Sequence, residues 1–112
     1  MSAVARVLAI APDLFFASKI DATLKAAGHE VTILSSLPGA AGDDPDLVIV
    51  DLDHTPDFGA GVEPGTPALG FYSHTDVDTR RAAEAAGFDL VVPRSRMARE
   101  MPELVASLVG QA

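Results

Sequence analysis

No cysteine occurs among the 112 residues. That excludes disulfides, thiol catalysis and zinc–thiolate sites. Positive charge is scarce as well: 8 Lys and Arg stand against 16 Asp and Glu, a net charge of −8. Binding a phosphate backbone needs a cationic footprint, so nucleic acid is not expected as a partner. No apolar run approaches the roughly 18 residues of a membrane span, and no membrane contact is expected. Residues 1–6 lack the charged start, apolar stretch and cleavage site of a secretory signal, so the expected location is cytoplasmic. Internal repeats, linkers and low-complexity tracts are absent too. What is present is 48% hydrophobic residues, enough for a packed core. The length suits a single domain over 1–112. Arg80, Arg81, Arg94, Arg96 and Arg99 fall in the last third of the chain. They read as solvated helix faces before they read as an anion contact.

The pattern alternates strand and helix. Val7 to Ala11 is a continuous apolar run, the mark of a strand covered on both faces. Asp13 is placed to cap a helix carrying Phe16, Ile20, Leu24 and Ala27 at helical spacing, with Gly28 as its stop. "HEVTIL", 29–34, alternates and suits an edge strand. Leu47 to Val50 is apolar throughout and hence central, and it runs straight into "DLDH", 51–54. "PALGFY", 67–72, is a fourth strand with Pro67 confined to its start. A helix from Asp76 to Gly87 and a strand "DLVV", 89–92, follow. The last helix covers about Ser95 to Val109, with Met97, Met101, Leu104, Val105 and Leu108 on one face. Pro102 should kink or restart it, because it lacks the amide proton and clashes with the preceding turn.

Strand–helix alternation implies parallel βαβ units with right-handed crossovers. The fold class is therefore α/β: a flavodoxin-like, doubly wound sheet of five parallel strands in order 2-1-3-4-5. Its second and third crossovers, "SSLPGAAGDDP" and "DHTPDFGAGVEPGT", are rich in Gly and Pro and should be short or irregular. In such sheets ligands meet the carboxyl ends of the strands near the switch between strands one and three, which Asp13 and Asp51 follow or end. The thin crossovers leave one sheet face in question. Either Leu8, Ile10, Val48 and Val50 are partly bare and support a homodimer, or Leu37, Phe58 and Val62 fold down over them.

Read in order, "VLAIAPDLFFASKIDATLKAAGHEV", "PDLVIVDLD", "TPALGFYSHTD" and "AAGFDLVVPRS" resemble a response-regulator receiver domain over nearly the whole chain. The resemblance implies an aspartate after the third strand that accepts phosphate from a histidine kinase. It implies a magnesium ion held by that aspartate and by an acidic pair after the first strand, with a Ser or Thr after the fourth strand and a Lys after the fifth. Asp51 falls on the phosphoacceptor position. The acidic pair falls on Ala11 and Pro12, with only Asp13 just beyond. Tyr72 or Ser73 takes the Ser/Thr position, and Pro93 or Arg94 the Lys position. Asp53 joins these at the site edge. The pattern is that of a pseudo-receiver, similar in architecture and degenerate in chemistry.

Magnesium binds through hard oxygen ligands, usually including one or two carboxylates. Asp13 and Asp51 are weak candidates for it, and no tight magnesium site is expected. Arg94 or Arg96 is expected to pair with Asp51 in the ion's stead, although a guanidinium fork is not a lysine's point charge. His54 and His74 follow strand ends near Asp51 and Asp53, but their spacing matches no metal motif. Ser73, His74 and Asp51 contain the residue types of a hydrolytic triad without a nucleophile elbow. "GAAG", 39–42, and "GAG", 59–61, are turns rather than phosphate loops. Phe16 belongs to the core stripe; Phe15 lies off it and is placed to cover Asp51 from water. Tyr72 either fills the vacated pocket or turns outward.

The expected function is that of a stand-alone signalling module, acting by protein contact and not as an enzyme. Its expected partner is a protein of a two-component or phosphorelay system, a histidine kinase being the class the resemblance implies. With no segment after the last helix, output is expected through contacts alone. The alternatives are a working phosphoacceptor at Asp51, and a small ligand-binding protein or enzyme using the switch-point crevice.

Overall fold

The computed structural model describes residues 5–36, 45–62, 65–73 and 77–109. Among the described residues, five strands form one sheet: β1 (Arg6–Ile10), β2 (Glu30–Leu34), β3 (Leu47–Asp51), β4 (Ala68–Tyr72) and β5 (Leu90–Pro93). Every pairing is parallel and the order is β2-β1-β3-β4-β5, the flavodoxin-like arrangement. The α-helices among the described residues are α1 (Leu14–Ala26), α2 (Val77–Ala86) and α3 (Arg94–Val109). The third crossover holds two 3-10 turns, Leu52–His54 and Phe58–Gly61, in place of an α-helix. Most of the second crossover, with "GAAG" and Leu37, lies outside the described residues.

Local chemistry sets the element ends. The Asp13 side chain accepts from Phe15 N at 3.0 Å and caps α1. Gly28, at φ +97°, ends it: His29 N donates to Leu24 O and Gly28 N to Lys25 O. Gly87, at φ +108°, repeats this at the end of α2, with Phe88 N on Ala83 O and Gly87 N on Glu84 O. Only glycine adopts that backbone without strain. Strand five ends one residue later than expected, at Pro93, so α3 begins with Arg94. Inside α3, Glu100 leaves helical geometry (φ −120°, ψ 19°), two residues before Pro102. Two helical stretches thus meet at a kink just before the proline, and the hydrophobic stripe continues through Leu104 and Val105.

Alternation along the strands sorts two cores. Val7, Ala9, Leu47, Ile49, Leu69, Phe71 and Val92 pack under α1 and α3, against Ile20, Leu24, Met97 and Met101. Ile10, Val48, Val50, Ala68 and Tyr72 face the other way. That second face is closed: Ile10 and Val50 are 0% exposed and Val48 5%. Leu52, Phe58, Val62, Ala83 and Phe88 cover it, with Phe58 and Phe88 edge to face at 5.9 Å. The bare face proposed as a dimer surface is therefore not there, because the 3-10 segment supplies the large side chains that α2 lacks.

Candidate functional site at the carboxyl ends of the strands

Asp51 closes β3 and is 0% exposed. Register and alternation determine what surrounds it. Asp51 pairs with Phe71 of β4, and Phe71 pairs with Val92 of β5. Residues two apart share a face, so Arg94, two beyond Val92, is the next side chain toward Asp51. Its Nη2 lies 3.3 Å from Asp51 Oδ1 and 3.2 Å from Oδ2, one nitrogen shared by both oxygens. The guanidinium carbon sits 4.7 Å from the Phe16 ring centroid and 5.1 Å from that of Phe71. Those two rings are 4.6 Å apart. Two π faces thus hold the cation in place.

The remaining partners are local. Asp51 precedes a 3-10 turn, and its Oδ1 accepts from Asp53 N at 3.2 Å. In such a turn, side chains at i and i+3 eclipse. This brings His54 Nδ1 to 2.8 Å from Asp51 Oδ2. A buried carboxylate without partners would cost several kcal/mol; here Arg94, His54 and a backbone amide all engage it. Asp53 Oδ2 accepts from Ser73 N, tying the turn to the end of β4.

Arg94 also faces Asp13 Oδ2 at 3.7 Å and Asp53 Oδ2 at 3.9 Å. These are Coulombic contacts too long for hydrogen bonds, and the buried Arg94 Nη1 has no hydrogen-bond partner among the described residues. One guanidinium thus serves three carboxylates. The oxygens that a hard cation would take from Asp51 are already bonded, and Arg94 stands between the acidic groups. The donor set does not fit magnesium unless Arg94 leaves.

The structure separates the alternatives left open by the sequence. Arg94, and not Pro93, faces Asp51; Pro93 is exposed. Arg96 turns away and pairs with Glu100 at 3.4 Å. Tyr72 is 5% exposed and belongs to the opposite core, so it neither fills the site nor turns outward. Ser73 lies at the site edge and contributes its backbone N–H. Phe15 is 91% exposed and covers nothing; Phe16 and Phe71 do the shielding instead. Asp13 caps α1 through Oδ1 and faces Arg94 through Oδ2. His74 lies outside the described residues, and so does the proposed Ser73–His74 pairing. Among the described residues, no three His, Asp or Glu side chains are grouped to hold a metal ion. The bond from His54 to Asp51 was readable only as an i, i+3 spacing, once a 3-10 turn is assumed.

No protein-family model matches the sequence, and no curated protein matches it. Solved structures do. The chain is similar to the receiver domain of HemR from Leptospira biflexa, in its non-phosphorylated form, at TM-score 0.80 and 16% identity, covering 96% of this chain and 95% of that one. CheY4 of Vibrio cholerae, a chemotaxis response regulator, aligns at TM-score 0.80 and 20% identity over 95% and 99% of the two chains. NtrX from Brucella abortus, crystallised with ADP, aligns at TM-score 0.80 and 15% identity over 96% of this chain, which spans 27% of that protein's length. Among the described residues, no helix is long and apolar enough to cross a membrane. With one parallel sheet in order 2-1-3-4-5, a buried aspartate ending its central strand and these likenesses over almost all its length, the chain has the fold of a response-regulator receiver domain.

Proposed function

We propose that this chain is a receiver-like signalling module that works by contact with a protein partner, without efficient phosphorylation of Asp51 and without a resident magnesium ion. The observation behind this reading is the Arg94–Asp51 pair, with Nη2 at 3.2 and 3.3 Å from the two carboxylate oxygens. Phosphoryl transfer to a carboxylate requires an accessible oxygen and positive charge that stabilises the transferring group. Asp51 is wholly buried, both its oxygens are engaged, and the nearby positive charge is already shared among three carboxylates. The receiver fold supports a signalling partner as the class of ligand. A histidine kinase remains within that class, as a protein that the module binds.

The test is incubation of the intact protein with a small phosphodonor and magnesium, followed by intact-mass measurement. No mass gain at Asp51 is expected, and a calorimetric titration should show no micromolar magnesium binding. Stoichiometric phosphorylation that vanishes in Asp51→Asn would overturn the reading in favour of a working phosphoacceptor.

A further inference from the structure

His54 has a chemistry that the contact reading does not use. Its Nδ1 lies 2.8 Å from Oδ2 of the fully buried Asp51. A carboxylate paired with an arginine accepts hydrogen bonds and does not donate them, so the ring proton sits on Nδ1. In the neutral ring this leaves the lone pair on Nε2. The His54 side chain is 51% exposed. The residue lines a pocket of about 240 Å³ with Ser35, Ser36, Thr55, Pro56 and Asp57, just beyond the ends of β2 and β3. A buried carboxylate that fixes one nitrogen of a half-exposed imidazole, and so leaves the lone pair on the other, is the arrangement that makes histidine a nucleophile or base.

The local charge selects the electrophile. Asp13, Asp51 and Asp53 share one guanidinium, and Asp57 adds a carboxylate to the pocket wall. The surroundings are net negative and repel anionic donors, phosphoryl donors among them, while an uncharged carbonyl is not repelled. We propose that His54 Nε2 is a nucleophile, oriented by Asp51, that takes an acyl group from small uncharged activated esters. Nε2 attacks the carbonyl carbon; the new C–N bond forms as the C–O bond breaks, and the electron pair leaves with the alkoxide or phenolate. The Nδ1 proton, acidified by acylation, ends on that leaving group. Water then cleaves the acyl-imidazole, releasing the carboxylic acid and restoring the neutral ring.

His29 provides a control within the same molecule. Its Nδ1 accepts from Ala5 N at 3.1 Å, so its proton sits on Nε2 and that nitrogen has no free lone pair in the neutral ring. With p-nitrophenyl acetate as probe and peptide mapping by mass spectrometry, His54 should acylate about tenfold faster than His29. His54→Gln should remove that adduct and most of the nitrophenolate release. Asp51→Asn should slow acylation at position 54 and leave His29 unchanged. If that variant does not fold, the comparison of the two histidines in the unmodified protein still decides. Acylation at His54 no faster than at His29, or unaffected in folded Asp51→Asn, would overturn the proposal. So would faster labelling of His54 by phosphoramidate than by the ester, since the charge argument would then be wrong. Ester labelling does not probe phosphorylation of Asp51, so its failure and that of the contact reading are separately visible.

Discussion

Arg94 and the two neighbouring phenylalanines show how much depends on single side chains here. Removing one partner of a buried ion pair leaves an uncompensated charge and costs about 3–5 kcal/mol, whereas replacing both partners by apolar groups is often neutral. Arg94→Met should therefore destabilise the protein by about that amount in urea unfolding, and Asp51→Leu combined with Arg94→Met should recover most of it. A double variant no more stable than Arg94→Met would show that the loss lies in packing against Phe16 and Phe71 and not in the charge. Phe15 and Phe16 make a second contrast, adjacent in sequence and opposite in environment. Phe16 is 8% exposed and stacks on Phe71, while Phe15 is 91% exposed. Phe16→Ala should cost about 3–5 kcal/mol and Phe15→Ala less than about 0.5 kcal/mol. Equal losses would mean that Phe15 packs against something in solution.

The 3-10 turn after β3 carries Asp53 and His54, and its seat is Gly70 of β4. A Cβ on Gly70 would come within 2.9 Å of Leu52 Cδ1 and 3.1 Å of its Cγ. Leu52 is 4% exposed and has little room to yield. Gly70→Ala should cost about 1–3 kcal/mol and disturb the turn, seen as chemical-shift changes at Asp53 and His54 larger than those at α1. No loss of stability would mean that Leu52 repacks freely. The strands and the three α-helices were legible in the sequence because apolar runs, helical spacing and the Gly28 and Gly87 stops each carry a local signal. So was the kink at Pro102. The turn was not legible, since "LDH" has no periodicity and its shape follows from Leu52 folding onto Gly70. Asp51 stood out as acid at the end of an apolar run. That Arg94 rather than Arg96 meets it depended on strand five ending at Pro93, a one-residue matter beyond any pattern. The burial of Tyr72 likewise follows from sheet parity, which fixes a face only once the register is known.

For the molecule as a whole, the closed second face removes the packing reason for self-association. The net charge of −8 adds mutual repulsion at low ionic strength. Sedimentation equilibrium should find a single species of monomer mass over a wide concentration range. A dimer would direct attention to Leu14 and Phe15, the most exposed large apolar side chains among the described residues, at 80% and 91%. The guanidinium between Asp13, Asp51 and Asp53 also bears on what this fold can sense. A dissociable ion has an occupancy that follows its concentration in the surroundings, and a switch works when a ligand favours one state over another. An ion tethered to the chain has a fixed, very high effective concentration at its site. Its occupancy carries no information about the medium. On the proposed reading, whatever varies the state of this chain has to arrive as a contact strong enough to compete with a counter-ion that never diffuses away.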